Sequence, residues 1–349
     1  MARALCAKVA NMRLPLILSL ASLALSACGS GSPQTASETP RLNMPQLTTE
    51  VAQIAERARP GVLGVGVMNL ESGESWDFNG ERRFPMQSVF KAPLGAAVLA
   101  EVDAGRLKLD DPIILTEQEL SPPKSPIADA YPGRRDYTVR ELLVAAVGVS
   151  DNTAADVLMK KIGGPGAVTA WLVGKKVEEI RVDRYERQLQ PDSVGMASFR
   201  PAWKGTQAYM TAFASVPPET RRKAVAAYLS DPQDTATPRG VLTFLDKLDD
   251  GELLSPASKK LLLEMMTETT TGQDRLKAGF PAGSRLAHKT GTARTDLGMN
   301  PAVNDVGIVT LPGGRRYAVA VFLSGSTLGD AANEKVVADV ARAVTRGIR

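Results

Sequence analysis

Histidine is nearly absent from this chain of 349 residues, which contains only His288. A single histidine cannot build a multi-histidine zinc site, an H-E-x-x-H arrangement or a relay of histidines. The two cysteines, Cys6 and Cys28, both lie near the amino end, so no disulfide can link parts of the folded body. The chemistry of this protein therefore depends on other side chains.

The chain also lacks a strong excess of charge of either sign. It has 42 Lys and Arg against 38 Asp and Glu, a formal net charge of +4. A nucleic-acid-binding protein needs a clear excess of cations to neutralise phosphates, so we expect no nucleic-acid partner. With 44% apolar residues the chain is globular, and its length suits one large domain or two closely packed ones.

The amino terminus is typical of an export signal. Three basic residues precede an apolar run over 14–27 that is too short to span a membrane. The run ends in L-S-A-C-G, which resembles the lipobox of bacterial lipoproteins, whose cysteine is lipidated and becomes the first residue. We predict a signal peptide over 1–27 and a lipid anchor on Cys28. The alternative is an ordinary signal peptide that is cleaved nearby.

The segment after the cysteine predicts a flexible tether over 28–46, because Ser, Thr, Pro and Gly dominate it. We expect no other contact with a membrane. Glycine rather than aspartate after the lipidated cysteine favours the outer membrane if the host is Gram-negative, which gives a periplasmic location.

Hydrophobic patterns predict strands at both ends of the remaining chain and helices between them. The predicted strands are 62–70, 76–78, 285–289, 306–311 and 317–323, and a closing helix covers 331–344. This order indicates an α/β (α+β) fold in which an antiparallel sheet, built from both termini, is flanked by helices and carries an inserted all-helical lobe.

The predicted domain extends over 47–349. Its α/β lobe comprises 47–87 and 268–349, and its helical lobe comprises 88–267. The cleft between two such lobes is the expected place for an active site.

Residues 88–91, S-V-F-K, offer a nucleophile that needs no histidine. Residues i and i+3 share a helix face, so the amine of Lys91 can meet and activate the hydroxyl of Ser88. The pattern predicts a helix from Ser88 to Glu101, whose free N–H groups would stabilise a developing oxyanion. A second S-x-x-K copy at 121–124 contains two prolines, so we interpret it as a loop.

Two further motifs follow along the chain. S-D-N at 150–152 lies between two helical patterns and, taken alone, is a good helix cap. K-T-G-T at 289–292 ends a predicted strand and, taken alone, could be an ordinary strand end. Gly291 permits close approach to the backbone, while Lys289 and Thr290 can hold a carboxylate. The occurrence of all three motifs in this order argues against coincidence.

S-x-x-K, S-D-N and K-T-G together form the signature of class A β-lactamases and penicillin-binding proteins. From 85 to 324 the chain resembles a class A serine β-lactamase. The stretches P-M-Q-S-V-F-K at 85–91, E-T-T-T-G at 268–272 and A-H-K-T-G-T at 287–292 are most similar to the subgroup that includes extended-spectrum enzymes. The resemblance implies hydrolysis of β-lactam antibiotics through a serine acyl-enzyme, with ring-opened β-amino acids as products and antibiotic resistance as the result.

The same resemblance implies roles in acylation. Ser88 would attack the β-lactam carbonyl, and either Lys91 or Glu186 acting through water would take its proton. The backbone N–H groups of Ser88 and Thr292 would form the oxyanion hole. Ser150, assisted by Lys289, would pass a proton to the departing ring nitrogen.

The resemblance also implies how substrate is held. Many relatives bind the substrate carboxylate with an arginine on the strand after K-T-G, but this chain has N-D-V at 304–306, so we assign that role to Arg275. The expected substrate-binding residues are Asn152, Thr290, Gly291, Thr292, Arg275 and Gln190. We expect no metal or organic cofactor, no partner besides small β-lactams, and a monomeric protein.

Residues 184–189, R-Y-E-R-Q-L, resemble the Ω loop of the family. The glutamate of that loop deprotonates the water that releases the acyl-enzyme, which assigns this role to Glu186. Gln190 stands where the family usually has asparagine, and both amides can form hydrogen bonds.

The Ω loop is predicted to be enlarged. Its closing segment, D-T-A-T-P, begins at Asp234, so we infer an insertion of roughly 35 residues over 193–230. We expect a helix from Pro218 within the insertion and an ion pair between Arg184 and Asp234 at the neck of the loop.

Two alternative functions share parts of this pattern. A D-alanyl-D-alanine peptidase would have the same serine, lysine and K-T-G residues but would stay acylated by penicillin. A non-catalytic lipoprotein that binds cell wall would not be acylated at all. The presence of Ser88, Lys91 and Glu186 argues against both. We interpret His288 as a residue that packs within its strand, because the other groups supply every proton transfer.

Overall fold

The computed structural model of the chain describes residues 41–196, 199–200 and 202–348. The predicted signal peptide, Cys28 and the tether up to residue 40 lie outside the described residues. Within the described part, no helix has the length and apolar character needed to cross a membrane.

The order of strands and helices follows the expected plan of strands, helices and strands. The strands are β1 (Val62–Asn69), β2 (Ser75–Phe78), β3 (Phe84–Pro85), β4 (Pro112–Ile114), β5 (Asp136–Thr138), β6 (Thr235–Ala236), β7 (Arg285–Thr292), β8 (Asn300–Thr310) and β9 (Arg316–Ser326). The first α-helices are α1 (Met44–Arg57), α2 (Lys91–Asp103), α3 (Pro126–Ala130), α4 (Val139–Leu143), α5 (Asn152–Lys161) and α6 (Pro165–Gly174). The later ones are α7 (Glu186–Asp192), α8 (Thr206–Ala214), α9 (Pro218–Ser230), α10 (Pro238–Asp250), α11 (Pro256–Thr267), α12 (Leu276–Gly279) and α13 (Asp330–Gly347).

The main sheet has five strands in the order β2-β1-β9-β8-β7, and every neighbouring pair is antiparallel. The amino-terminal hairpin therefore pairs with the carboxy-terminal strands through β1 and β9. This confirms the predicted sheet built from both termini and the mixed fold class.

Strand β9 shows that the sheet is covered on both faces. Its side chains alternate between two apolar clusters, since successive residues of a strand point to opposite faces. Val319 and Val321 pack with α1 and α13, whereas Ala320 and Phe322 pack with the helical region. Both faces are buried, so β9 is apolar along most of its length rather than alternately polar.

The first helix lies at the predicted start of the domain, residue 47. Helix α1 begins at Met44, and Asn43 caps it by accepting a hydrogen bond from the N–H of Gln46. Leu42 is buried and pairs with Ile348, and Leu47 is fully buried. The end of the predicted tether is thus ordered because its apolar residues cover one face of the sheet.

In its described residues, the segment between Arg184 and Asp234 contains three helices, α7, α8 and α9. The helix predicted to begin at Pro218 is confirmed as α9. Helix α8 was not predicted from the sequence; its Tyr209 and Phe213 pack with Met196 in a small apolar cluster of their own.

Candidate active site

The turn that carries Ser88 differs in detail from the predicted helix. Residues Gln87–Phe90 form a 3-10 turn, and the α-helix begins at Lys91. The N–H of Lys91 donates to the carbonyl of Ser88, so the two residues lie one turn apart. Activation of the Ser88 hydroxyl by Lys91 stays a prediction. Gln87 has a left-handed backbone with φ 47°, and Ser88 is half-buried between buried neighbours.

Lys91 connects three of the predicted site residues. Its side chain is fully buried, and Nζ donates to the carbonyl oxygen of Ser150 at 2.9 Å and to Oδ1 of Asn152 at 2.6 Å. The same nitrogen lies 3.0 Å from Oε1 of Glu186, whose carboxylate is also fully buried. The S-x-x-K turn, the S-D-N motif and the Ω segment therefore meet at one ammonium group.

Ser150 also receives a second lysine from the sheet. Lys289 on β7 donates from Nζ to Oγ of Ser150 at 3.0 Å and to the carbonyl of Thr290 at 2.9 Å. Ser150 ends the π-helical turn Val144–Val149 with a left-handed φ of 68°, which turns its hydroxyl group toward β7. Burial, together with the nearby cations of Lys91 and Lys124, holds the pKa of Lys289 well below its ordinary value.

Glu186 begins α7 and is held through both its backbone and its side chain. Its N–H donates to Oδ1 of Asp156 at 2.7 Å, and the N–H of Arg187 donates to Oδ2 at 3.0 Å. Oε2 of Glu186 accepts from Nε2 of Gln190 at 2.8 Å. Gln190 thus contacts the glutamate itself, as an amide four residues further along a helix can.

Asp156 is a site residue that the sequence analysis missed. It lies on α5, is buried, and accepts a third hydrogen bond from Oγ of Ser121 at 2.6 Å. Burial raises the pKa of Asp156 to about 7, and the neighbouring carboxylate of Glu186 adds to this effect. The only signal in the sequence is an acidic residue among the apolar positions of α5. Ser121 itself belongs to the second S-x-x-K copy at 121–124, which is a loop, as predicted.

The neck of the Ω segment is closed by the predicted ion pair. Nε of Arg184 lies 2.6 Å from Oδ2 of Asp234, and its Nη2 lies 3.0 Å from Oδ2 of Asp231. The other carboxylate oxygen of Asp234 accepts from the N–H groups of Asp183 and Arg184. This confirms the predicted contact across 50 residues of chain.

Strand β7 passes directly beside the nucleophile turn. A Cβ on Gly291 would lie 2.1 Å from the carbonyl oxygen of Met86, so only glycine fits. Asn304 on β8 ties the same turn to the sheet, because Nδ2 donates to the carbonyls of Pro85 and Met86. Thr292 at the end of β7 is exposed. Gly291 of K-T-G therefore lets the nucleophile turn lie directly against strand β7.

Two residues near K-T-G have partners within the protein. Arg275 is buried and donates from Nη1 to the carbonyl of Asn304 at 3.0 Å, with Nε 3.3 Å from Glu334. Its binding of a substrate carboxylate stays a prediction. Nδ1 of His288 lies 2.7 Å from Oδ1 of Asp305, and both side chains are buried, in keeping with a packing role. Among the described residues, no group of three or more His, Cys, Asp or Glu side chains could hold a metal ion.

A cavity of about 440 Å³ lies between the loop that precedes α3 and helix α8. Lys124 and Gln190 line it together with Phe213 and Arg294. The guanidinium of Arg294 lies 5.1 Å from the ring centre of Phe213, so α8 reaches across to the residues that follow β7.

This fold, with a serine and two buried lysines beside a glutamate, defines a serine enzyme that transfers acyl groups. The sequence profile of the β-lactamase enzyme family matches residues 46–348, and the chain belongs to that family. It is a class A serine β-lactamase that hydrolyses β-lactams, which confirms the function inferred from the motifs.

Individual relatives agree with this assignment. The chain is 33% identical to the extended-spectrum β-lactamase PER-1 of Pseudomonas aeruginosa, over 81% of this chain and 82% of that one. It is 31% identical to β-lactamase VEB-1 of the same organism, over 85% and 88%. The crystal structure of a β-lactamase from Chitinophaga pinensis superposes with a TM-score of 0.71 and 36% identity, covering 85% of this chain and 97% of the other.

Proposed function

We propose that Ser88 is the nucleophile of β-lactam hydrolysis and that Glu186 is the base of deacylation. Ser88 attacks the β-lactam carbonyl, which opens the ring and leaves an ester on its oxygen. The N–H groups of Ser88 and Thr292 bind the developing oxyanion. The hydroxyl proton leaves through Lys91, or through Glu186 by way of a water molecule.

Proton delivery to the ring nitrogen is assigned to Ser150. Its Oγ accepts a hydrogen bond from Lys289, which can replace the proton that the hydroxyl gives away. The lowered pKa of Lys289 supports this assignment, because a lysine with a lowered pKa releases a proton more readily. Asn152 would bind the acylamino group of the substrate. Thr290 and Arg275 would bind its carboxylate.

Deacylation is assigned to Glu186. One observation carries this proposal: its buried carboxylate lies 3.0 Å from the ammonium of Lys91 and also accepts a hydrogen bond from Gln190. These contacts hold the carboxylate beside the nucleophile turn, where it can deprotonate the water that attacks the ester. A penicillin-binding peptidase does not need such a glutamate.

We also infer that the protein is exported, anchored through lipid on Cys28, and monomeric. The signal-like residues 1–27 and the L-S-A-C-G sequence support export and anchoring. Replacing Cys28 by serine should release the protein from membranes, and unchanged membrane association would contradict the anchor.

Glu186→Gln tests the assignment of the base. Product release and intact protein mass are followed after mixing each protein with a penicillin. We expect many turnovers by the unchanged protein, and a persistent adduct with kcat lowered by roughly 10²- to 10⁴-fold in Glu186→Gln. Glu219→Gln, at an exposed position of the same segment, should behave like the unchanged protein.

Ser88→Ala should form no adduct, since it lacks the nucleophile. Rapid turnover by Glu186→Gln without an adduct would contradict Glu186 as the base. One equivalent consumed by the unchanged protein, with a lasting adduct, would favour the peptidase.

A further inference from the structure

A line of hydrogen bonds runs from the Ω segment through the nucleophile turn to Glu186. Nε2 of Gln87 donates to the phenol oxygen of Tyr228 at 2.6 Å. Nε2 of Gln190 donates to Oε1 of Gln87 at 3.2 Å and to Oε2 of Glu186 at 2.8 Å. Tyr228 and Gln87, from separate parts of the sequence, are thus linked through Gln190 to the carboxylate of Glu186.

The carboxylate of Glu186 and the phenol oxygen of Tyr228 bind opposite ends of this line of amides. An amide has a donor end and an acceptor end, and its partners select the orientation. The carboxylate only accepts, so Gln190 directs its NH₂ group at it, and the same NH₂ group requires the oxygen of Gln87. The phenol oxygen then accepts from the NH₂ group of Gln87.

Tyr228 is built into this place. It lies on α9, its side chain is buried, and 141 residues of chain separate it from Gln87. Burial raises the pKa of Tyr228 above its ordinary value, so the phenol is neutral near neutral pH. Gln87 itself is held in a left-handed conformation directly before Ser88, which limits how far its backbone can shift.

We propose that Tyr228 is a positioning residue for deacylation, acting through Gln87 and Gln190 on the carboxylate of Glu186. This gives α9 a part in catalysis although it contributes no side chain that touches the reacting atoms. The proposal rests on the assignment of Glu186 as the deacylation base.

Tyr228→Phe removes the phenol oxygen and leaves the ring in place. We expect the rate constant of deacylation to fall about tenfold, because one buried donor of Gln87 loses its acceptor and the amide is then held at one end only, by Gln190. The rate constant of acylation should stay within twofold, so acyl-enzyme accumulates. The loss should be the same at every pH tested, since a neutral phenol does not titrate there.

Tyr317→Phe is the matched control, because Tyr317 is equally buried but lies on β9 among side chains that face α1 and α13. It should leave both rate constants unchanged. Thermal unfolding of both variants shows how much stability each hydroxyl group contributes, so that a loss of folded protein is not taken for a catalytic effect.

A double-mutant cycle separates positioning from a purely structural role. Gln87→Met breaks the same line at its centre and should give the same deacylation defect with Tyr228 intact. Adding Tyr228→Phe to Gln87→Met should cause little further loss, because the two residues act in series.

Several results would overturn the proposal. These are unchanged deacylation in Tyr228→Phe, an equal fall in both rate constants, or a full additional effect in the Gln87→Met background. If Glu186→Gln accumulates acyl-enzyme and Tyr228→Phe does not, the positioning role fails while the assigned base stands. If Glu186→Gln deacylates normally, the proposed base fails first.

Discussion

Asp156 combines two opposed influences at the scale of one residue. Three donors bind its carboxylate and favour the charged form, while complete burial and the adjacent Glu186 favour the neutral form. Burial dominates, and the pKa rises to about 7. The N–H group of Glu186 is therefore held by a carboxyl group that changes charge near neutral pH.

Stability should fall as the pH rises through the range in which Asp156 ionises. In the unfolded chain the group loses its proton near its ordinary value of 3.8, whereas in the folded protein it keeps the proton to about 7. The folded state binds more protons between these values, so the contribution of Asp156 to the free energy of unfolding is full below about pH 4 and declines by on the order of 4 kcal/mol by about pH 7.

Asp156→Asn, which cannot ionise, isolates this effect. Urea unfolding at several pH values should show that the unchanged protein loses stability relative to the variant between about pH 4 and pH 7, with a constant difference above that range. The exposed Asp110→Asn controls for removal of one carboxylate. A difference between the protein and Asp156→Asn that does not vary with pH would show that the buried acid has an ordinary pKa.

The motifs identified residues whose spacing along the chain is fixed, but not residues that meet only in the folded state. Ser88, Lys91 and Ser150 could be chosen because each stands in a short pattern with a chemical reason. Gln87 and Tyr228 lie 141 residues apart, and a tyrosine in a helix carries no local signal of its partner.

At the scale of elements, the neck pair controls the position of α7. Only 13% of the Arg184 side chain and 3% of that of Asp234 are exposed, and Glu186 follows two residues after the arginine. The pair closes the segment that carries α7, α8 and α9, so its loss should affect all three helices.

Arg184→Ala should lower the free energy of unfolding by about 3–5 kcal/mol, because it leaves the buried carboxylate of Asp234 without its cation. Deacylation should slow as α7 loses its position. Arg181→Ala removes a more exposed pair with Asp183 nearby and should leave stability almost unchanged. Equal melting temperatures for the two variants would contradict a structural role for the neck.

Elements with regular apolar spacing could be predicted, and those with mixed composition could not. Helix α9 was expected because Pro218 opens a long helical pattern. Helix α1 was not predicted, because Pro45 and the threonines that follow Leu47 continue the composition of the tether before it. Its order comes from packing on the sheet, which local sequence does not reveal.

For the whole molecule, α1 is a structural requirement. Leu47, Val51 and Ile54 of this helix are buried against the sheet and α13. Burying each such side chain contributes about 1.5–3 kcal/mol, and the total stability of a domain is about 5–15 kcal/mol. The helix therefore contributes a large share of the total.

A protein beginning at residue 58 should accordingly be unstable or insoluble, whereas one beginning at residue 41 should melt like the full mature chain. Thermal unfolding and penicillin hydrolysis measure both. If the shorter protein melted at the same temperature and hydrolysed penicillin equally well, α1 would be dispensable.

The pairing of Leu42 with Ile348, together with the hydrogen bond from the N–H of Asn43 to the carbonyl of Gly347, brings the two ends of the described fold side by side. A short linker could join them. New ends could then be opened in the exposed turn at 313–314 between β8 and β9 without breaking any strand pairing. The fold thus suits circular permutation: the same sheet and the same catalytic cleft would be reached from a different starting residue.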